Sequence, residues 1–69
     1  MTDRIRLTSY YKGDIIELES FNGIDKVIDY LEDSEVPDYY INAVAQALSA
    51  CVPITMHEGQ IVDEWEIAE

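Results

Sequence analysis

The sequence predicts a single small α+β domain: an antiparallel sheet of about four strands, in ββααββ order, with two helices on one face. Two segments near each end of the chain alternate apolar and polar residues, as half-buried strands do. Between them lie two segments whose apolar residues recur at helical spacing. One sheet covered by two helices buries both patterns. The 69 residues are enough for one domain, residues 1–69.

The first two strands are predicted as a hairpin over residues 4–11 and 14–19, joined by a turn at Lys12-Gly13. Alternation separates the faces of each strand. In the first strand, Ile5 and Leu7 face one way and Arg4 and Arg6 the other. In the second strand, Ile16 and Leu18 share one face, and Ile15, Glu17 and Glu19 share the other.

Two helices are predicted next. The first begins after an Asn22 N-cap, with Asp25 completing a capping-box-like pair, and ends near Ser34-Glu35. Pro37 suits the first turn of the second helix, which runs to about Cys51, a residue expected to be a buried, unreactive thiol. The predicted core faces are Ile24, Val27, Ile28 and Leu31 in the first helix, and Ile41, Val44, Ala45 and Leu48 in the second.

A second hairpin is predicted to close the chain, with strands at residues 54–57 and 60–68 around a turn at Glu58-Gly59. One face of the last strand carries Ile61, Asp63, Trp65 and Ile67, and the other carries Val62, Glu64 and Glu66. Trp65 is therefore expected in the core. The patterns leave the order of the strands open.

Charge is the most unusual property of the chain. Fifteen acidic residues face four Lys and Arg, for a net charge of −11, and no Lys or Arg follows Lys26. A magnitude of about 2 to 8 is ample for the solubility of a small domain, and a larger one opposes folding by self-repulsion. Direct binding of nucleic acid or of an anionic membrane is disfavoured, because both require basic residues. With no signal sequence or membrane-spanning run, we expect a cytoplasmic protein.

Catalytic and metal motifs are missing from the sequence. The chain has one histidine and one cysteine, His57 and Cys51, which cannot form a closed zinc site without carboxylates. Residues 29–33 lack the alternating ligands and central glycine of a calcium loop. We therefore expect a binding protein without enzymatic activity, cofactor or metal.

Two groups of acids are candidate partner-binding residues. The first, at the end of the first helix and the entry to the second, comprises Asp29, Glu32, Asp33, Glu35 and Asp38. Like charges four residues apart and anions near a helix C-terminus are unfavourable, and locally broken rules often mark function. The second group, Glu17, Glu19, Glu64 and Glu66, forms one negative plate if all four line the open face of the sheet. The alternative for both groups is an ordinary solvated surface.

The second helix is the least charged part of the chain, since residues 39–56 carry no formal charge. Tyr39 and Tyr40 are candidate aromatic contacts, because tyrosine is favoured at interfaces. Ala43, Ala47 and Ala50 form a small-residue outer face that allows close approach. The alternative interpretation is a central helix buried on two sides.

The whole chain resembles phage anti-CRISPR proteins directed against type I systems. The resemblance lies in its size, its acid excess, its element order and the Val36-Pro37-Asp38 entry to a second helix after an acidic first helix. The resemblance implies binding, in the bacterial host cell, to the CRISPR surveillance complex, often through its Cas8-type large subunit. It also implies occupation of the basic surface that receives target DNA, a surface that grips the nucleic-acid backbone. The uncharged second helix departs from a purely electrostatic mimic.

The leading hypothesis is therefore a non-enzymatic inhibitor that binds a basic DNA-binding surface and blocks DNA binding by DNA mimicry. A monomer is favoured over a dimer for this inhibitor. A related version acts on a restriction enzyme or another DNA-binding protein. Two other hypotheses remain: a homodimeric structural or assembly module that pairs through the second helix, and a halophile protein whose acidity reflects its environment.

Overall fold

The computed structural model describes residues 4–68. Its elements, in chain order, are β1 (Arg4–Tyr11), β2 (Asp14–Phe21), α1 (Ile24–Asp33), α2 (Asp38–Ser49), β3 (Ile54–Glu58) and β4 (Ile61–Ala68). The strands form one antiparallel sheet in the order β2-β1-β4-β3. The α+β fold and its ββααββ order are confirmed. Neither helix is long and apolar enough to cross a membrane, judged on residues 4–68.

The core lies between the two helices and one face of the sheet. Trp65, with none of its surface exposed, is its largest side chain, as predicted. The rings of Phe21 and Tyr30 pack beside it, with centroids 5.8 and 6.5 Å from that of Trp65. The other fully or almost fully buried apolar residues are Ile5, Leu7, Val27, Leu31, Tyr40, Val44 and Leu48. The helices thus bury one stripe each, at the spacing of i and i+4.

Strand β2 departs from the predicted alternation because it contains a bulge. Ser9 pairs with Glu17, whereas the next β1 residue, Tyr10, pairs with Ile15, which leaves Ile16 without a partner. An extra residue in one strand reverses the alternation across the bulge. Ile15 therefore lies on the open face of the sheet, and the prediction that it shares a face with the two glutamates of β2 is wrong.

Helix α1 also begins differently from the prediction. Gly23, not Asn22, occupies the N-cap, and no side-chain hydrogen bond caps the helix. Gly23 has a φ of 137°, and a Cβ there would lie 2.8 Å from Oδ1 of Asp25. The chain enters the helix through a conformation that only glycine adopts readily, so the predicted capping pair of Asn22 and Asp25 is wrong.

Both helices end in the same backbone motif, in which two N–H groups turn back onto the last turn. After α1, the N–H groups of Glu35 and Val36 donate to the carbonyls of Glu32 (3.2 Å) and Leu31 (3.4 Å). After α2, those of Cys51 and Val52 donate to the carbonyls of Leu48 (3.0 Å) and Ala47 (2.9 Å). The motif needs a residue with positive φ, which is Glu35 (59°) in one case and Cys51 (58°) in the other. Cys51 is exposed there, so the prediction of a buried thiol is wrong.

Candidate binding site

The outward face of α1 and the connection to α2 carry a continuous row of acids. Val27 and Leu31, on the opposite face of α1, are buried in the core. At about 100° per residue, the acids of α1 fall on the side away from both. We call Asp29, Glu32, Asp33, Glu35 and Asp38 the acidic stripe; all five are exposed, and Asp25 precedes them on the same face of α1. The structure therefore leaves every acid of the first predicted group exposed, and those of α1 share the face that is turned away from the core.

The acids of the acidic stripe form no ion pair with any basic side chain of residues 4–68, although Lys26 is also exposed on α1. Within residues 4–68 one side-chain ion pair forms, between Arg6 and Glu66 on the sheet, where Nε lies 2.8 Å from Oε1. The last turns of both helices contain no basic residue. Glu32 and Asp33 thus stand beside the negative end of the α1 dipole, which disfavours anions. Local stability does not account for these acids.

Glu35 adds a second unfavourable feature to the acidic stripe. Its positive φ is the conformation for which glycine is the usual choice, and an L side chain there is strained. A carboxylate at this position also lies just beyond the helix C-terminus. Another residue would relieve the backbone strain and would remove the unfavourable charge at the helix terminus. The folding of the chain therefore gives no reason for a glutamate here.

The four strand glutamates do not form the expected negative plate. Glu17 and Glu19 pair with Ser9 and Leu7, which are buried under the helices, so they belong to the helix-covered face. Glu64 and Glu66 pair with Thr8 and Arg6, on the open face. The two pairs therefore lie on opposite faces, and Glu66 is neutralised by Arg6. The prediction of one plate is wrong because the register of the strands separates its members.

A different carboxylate, Asp63, is buried beneath the helices. Only 7% of its surface is exposed. Its Oδ1 accepts a hydrogen bond from Ser9 Oγ and its Oδ2 one from the hydroxyl of Tyr40, both at 2.7 Å. The Tyr40 hydroxyl in turn accepts the indole N–H of Trp65 at 3.0 Å. A buried carboxylate without a cation is stable only with such donors. Burial raises the pKa of the Tyr40 hydroxyl, which keeps it a donor.

Beside Asp63 lies a cleft of about 180 Å³ between the sheet and the helices, which motif analysis of the sequence missed. Glu17 and Glu58 contribute carboxylates to its wall, and Glu17 accepts a 2.7 Å hydrogen bond from the hydroxyl of Tyr30. Lost hydration and the charge of Asp63 raise the pKa of Glu58 above its ordinary value. The signal that could have found the cleft was a charged residue, Asp63, at a core-facing position of the last strand.

The two candidate tyrosines occupy opposite environments. Tyr39 is 60% exposed and is available to a partner. Tyr40 is 1% exposed and is hydrogen-bonded within the core, so the prediction that it contacts a partner is wrong. The rotation of α2 on the sheet buries Tyr40, Val44 and Leu48, while Ile41 and Ala45 are only half-buried.

Within residues 4–68, no cluster of three or more His, Cys, Asp and Glu side chains has the geometry to hold a metal ion. Comparison with protein-family models, with curated proteins and with solved structures finds no match to this chain. Fold and surface together define it as a two-layer α+β domain with an acidic helix face whose acids form no ion pair among residues 4–68.

Proposed function

We propose that the protein is a non-enzymatic inhibitor that presents the acidic stripe to a basic DNA-binding surface and blocks that surface. The observation that carries this proposal is the row of exposed acids along α1 and into α2, which has no ion-pair partner among residues 4–68. Because Glu32 and Asp33 oppose the stability of their own helix, a cation on another molecule is the simplest reason for them. Asp38, in the first turn of α2, is favoured by the dipole of that helix and extends the row.

The charge density of α1 suits imitation of a nucleic-acid backbone. Its acids at positions 25, 29, 32 and 33 span nine residues, or about 12 Å of helix axis, and Lys26 lies between the first two. That is one charge per roughly 4 Å, close to the one charge per about 3.4 Å of a single DNA strand. A basic channel that binds phosphates without contacting the bases would experience a similar negative electrostatic potential from this helix.

The target that the resemblance in size, charge and element order suggests is a type I CRISPR surveillance complex, and within it the Cas8-type large subunit. Acids on an exposed helix would steer the protein to such a surface and speed encounter. The exposed Tyr39, one residue beyond the acidic stripe, would supply a shorter-range contact. An antirestriction inhibitor of another DNA-binding enzyme would use the same surface.

Competition at two salt concentrations tests the proposal. The purified surveillance complex would be incubated with labelled target DNA and increasing amounts of the protein, at 50 and 300 mM salt. We expect DNA release at low salt and a steep loss of that effect at high salt, because exposed charge interactions are screened. DNA binding that is unaffected at both concentrations would contradict inhibition of this complex. A dimeric mass with little salt dependence would favour the homodimeric module instead.

A further inference from the structure

The sheet has two edges, and β2 forms the longer one. In the order β2-β1-β4-β3, β2 pairs with β1 alone among the described strands. It has eight residues, against five in β3 at the opposite edge. The N–H and C=O groups on the outer side of an edge strand are available to pair with another strand.

Aliphatic side chains are exposed along this edge. Ile15, Ile16 and Leu18 are 57, 52 and 61% exposed, and they lie within four residues of one another. Edge strands that avoid pairing are short, carry lysine or proline, or contain bulges and inward-pointing charges. β2 has no lysine or proline, and its bulge and its glutamates, which lie on the helix-covered face, discourage pairing with a flat or acidic strand but leave a basic strand able to pair. Ile15 and Leu18 lie on the open face of the sheet, and Ile16 lines the cleft on the other face. Exposed aliphatic residues beside an unpaired backbone are a feature of strand-addition sites.

The charges of β2 indicate what kind of strand can pair with it. Asp14, Glu17 and Glu19 alternate with the aliphatic residues, and β2 has no basic residue. Pairing with a second copy would bring six carboxylates into one ladder without a cation, and like charges on facing strands are destabilising. The net charge of −11 further opposes self-association. A strand that alternates basic and aliphatic residues would satisfy both the charges and the apolar side chains.

We propose that the outer edge of β2 is a docking site for an extended cationic segment of a partner protein, which adds to the sheet as a fifth strand. Backbone hydrogen bonds along β2 supply the affinity, and Asp14 and Glu19 select lysine or arginine on the incoming segment. The surface is distinct from the acidic stripe, and the proposal goes beyond the inhibition of DNA binding.

A designed peptide tests the docking directly. The probe is a ten-residue peptide of alternating lysine and valine, and its control has the same lysines with prolines in place of two valines. In an NMR titration followed by amide hydrogen exchange, we expect the lysine–valine peptide to protect amides within residues 14–20 but not those of residues 54–58. Removing two backbone hydrogen bonds should weaken the control peptide about tenfold or more. Equal affinity of the two peptides, or protection at β3, would overturn the proposal.

A pair of variants with the same net charge tests the role of the β2 acids. Asp14→Lys with Glu19→Lys should weaken binding of the lysine–valine peptide about tenfold, because two attractive cross-strand pairs become repulsive. Glu64→Lys with Asn42→Lys and Gln46→Lys changes the net charge by the same four units, at exposed positions outside both β2 and the acidic stripe, and should change affinity by no more than about threefold. An equal loss in both would show that the peptide senses only overall charge. None of these outcomes bears on DNA competition, so the two proposals fail independently.

Discussion

One carboxylate of this protein is buried and well partnered, whereas those on α1 are exposed and form no ion pair within the described part of the chain. Asp63 accepts hydrogen bonds from Ser9 and Tyr40, and every buried polar side-chain atom in residues 4–68 has a partner. Glu32 and Glu35, in contrast, stand at a helix terminus that disfavours anions. The fold thus supplies hydrogen-bond donors to the carboxylate that it buries. The acids at the end of α1 are therefore best explained by something outside the chain.

The largest loss of stability is expected from a core substitution that also breaks the hydrogen-bond network around Asp63. Trp65→Ala removes the largest core side chain and the donor to Tyr40, and should destabilise the domain by about 3–5 kcal/mol. That loss is comparable to the whole stability of a small domain, so the variant should be largely unfolded. Chemical denaturation measured by circular dichroism checks this. Tyr39→Ala, at an exposed aromatic, is the control and should fold normally; a stable Trp65→Ala variant would refute the position of β4.

A smaller loss is expected from one hydroxyl of the same network. Tyr40→Phe leaves Asp63 with the Ser9 donor alone and leaves the Trp65 indole N–H without an acceptor. The free energy of unfolding should fall by about 1–3 kcal/mol. The neighbouring Tyr39→Phe removes an exposed hydroxyl and should change stability by less than about 0.5 kcal/mol. If both variants unfold at the same denaturant concentration, the buried network does not support Asp63.

The two helix ends provide a matched pair of glycine substitutions. Glu35→Gly and Cys51→Gly both relieve a positive φ, and each should stabilise the domain by roughly 0.5–1 kcal/mol. Only Glu35→Gly removes an acid, so it alone should weaken binding to the surveillance complex while raising the melting temperature. A Glu35→Gly variant that binds as tightly as Cys51→Gly would show that this acid makes no contact with the partner.

The smallest expected effect is a dependence of the domain's stability on pH, caused by Glu58 in the cleft. The pKa of Glu58 is raised above its ordinary value, so the folded state holds this proton more tightly than the unfolded state does. Stability should therefore fall as pH rises from the ordinary pKa through the raised one. Melting temperatures between pH 4 and 7 measure the trend. Glu58→Gln should reduce the slope of this trend; a slope equal to that of the unmodified protein would contradict the assignment to Glu58.

The elements and the core face of β4 could be predicted from the sequence because alternation and helical periodicity are local. Ile5, Leu7 and Trp65 lie where those patterns put them. The bulge at Ile16 could not be predicted in this way, since it appears only when β2 is paired with β1. The N-cap at Gly23 depends likewise on the direction in which the chain leaves β2.

The candidate site was predictable in part for the same reason. The acidic stripe follows one helix and its exit, so sequence spacing alone brings its members together. The plate of four strand glutamates depended on the register of three strands, and the structure splits it between two faces. Tyr39 and Tyr40 are separated by about 100° on the helix, and which of them is buried depends on how α2 rotates against the sheet.

We propose that the acids of the acidic stripe serve a basic partner and not the fold, and this claim can be tested with two variants of equal net charge. Glu32→Gln, Asp33→Asn and Glu35→Gln together raise the net charge from −11 to −8, as do Asn42→Lys, Gln46→Lys and Thr55→Lys at exposed neutral positions. Affinity for the surveillance complex would be measured beside thermal stability. We expect the first variant to stay folded and bind about tenfold more weakly or worse, and the second to bind nearly normally. Equal affinities would contradict the claim.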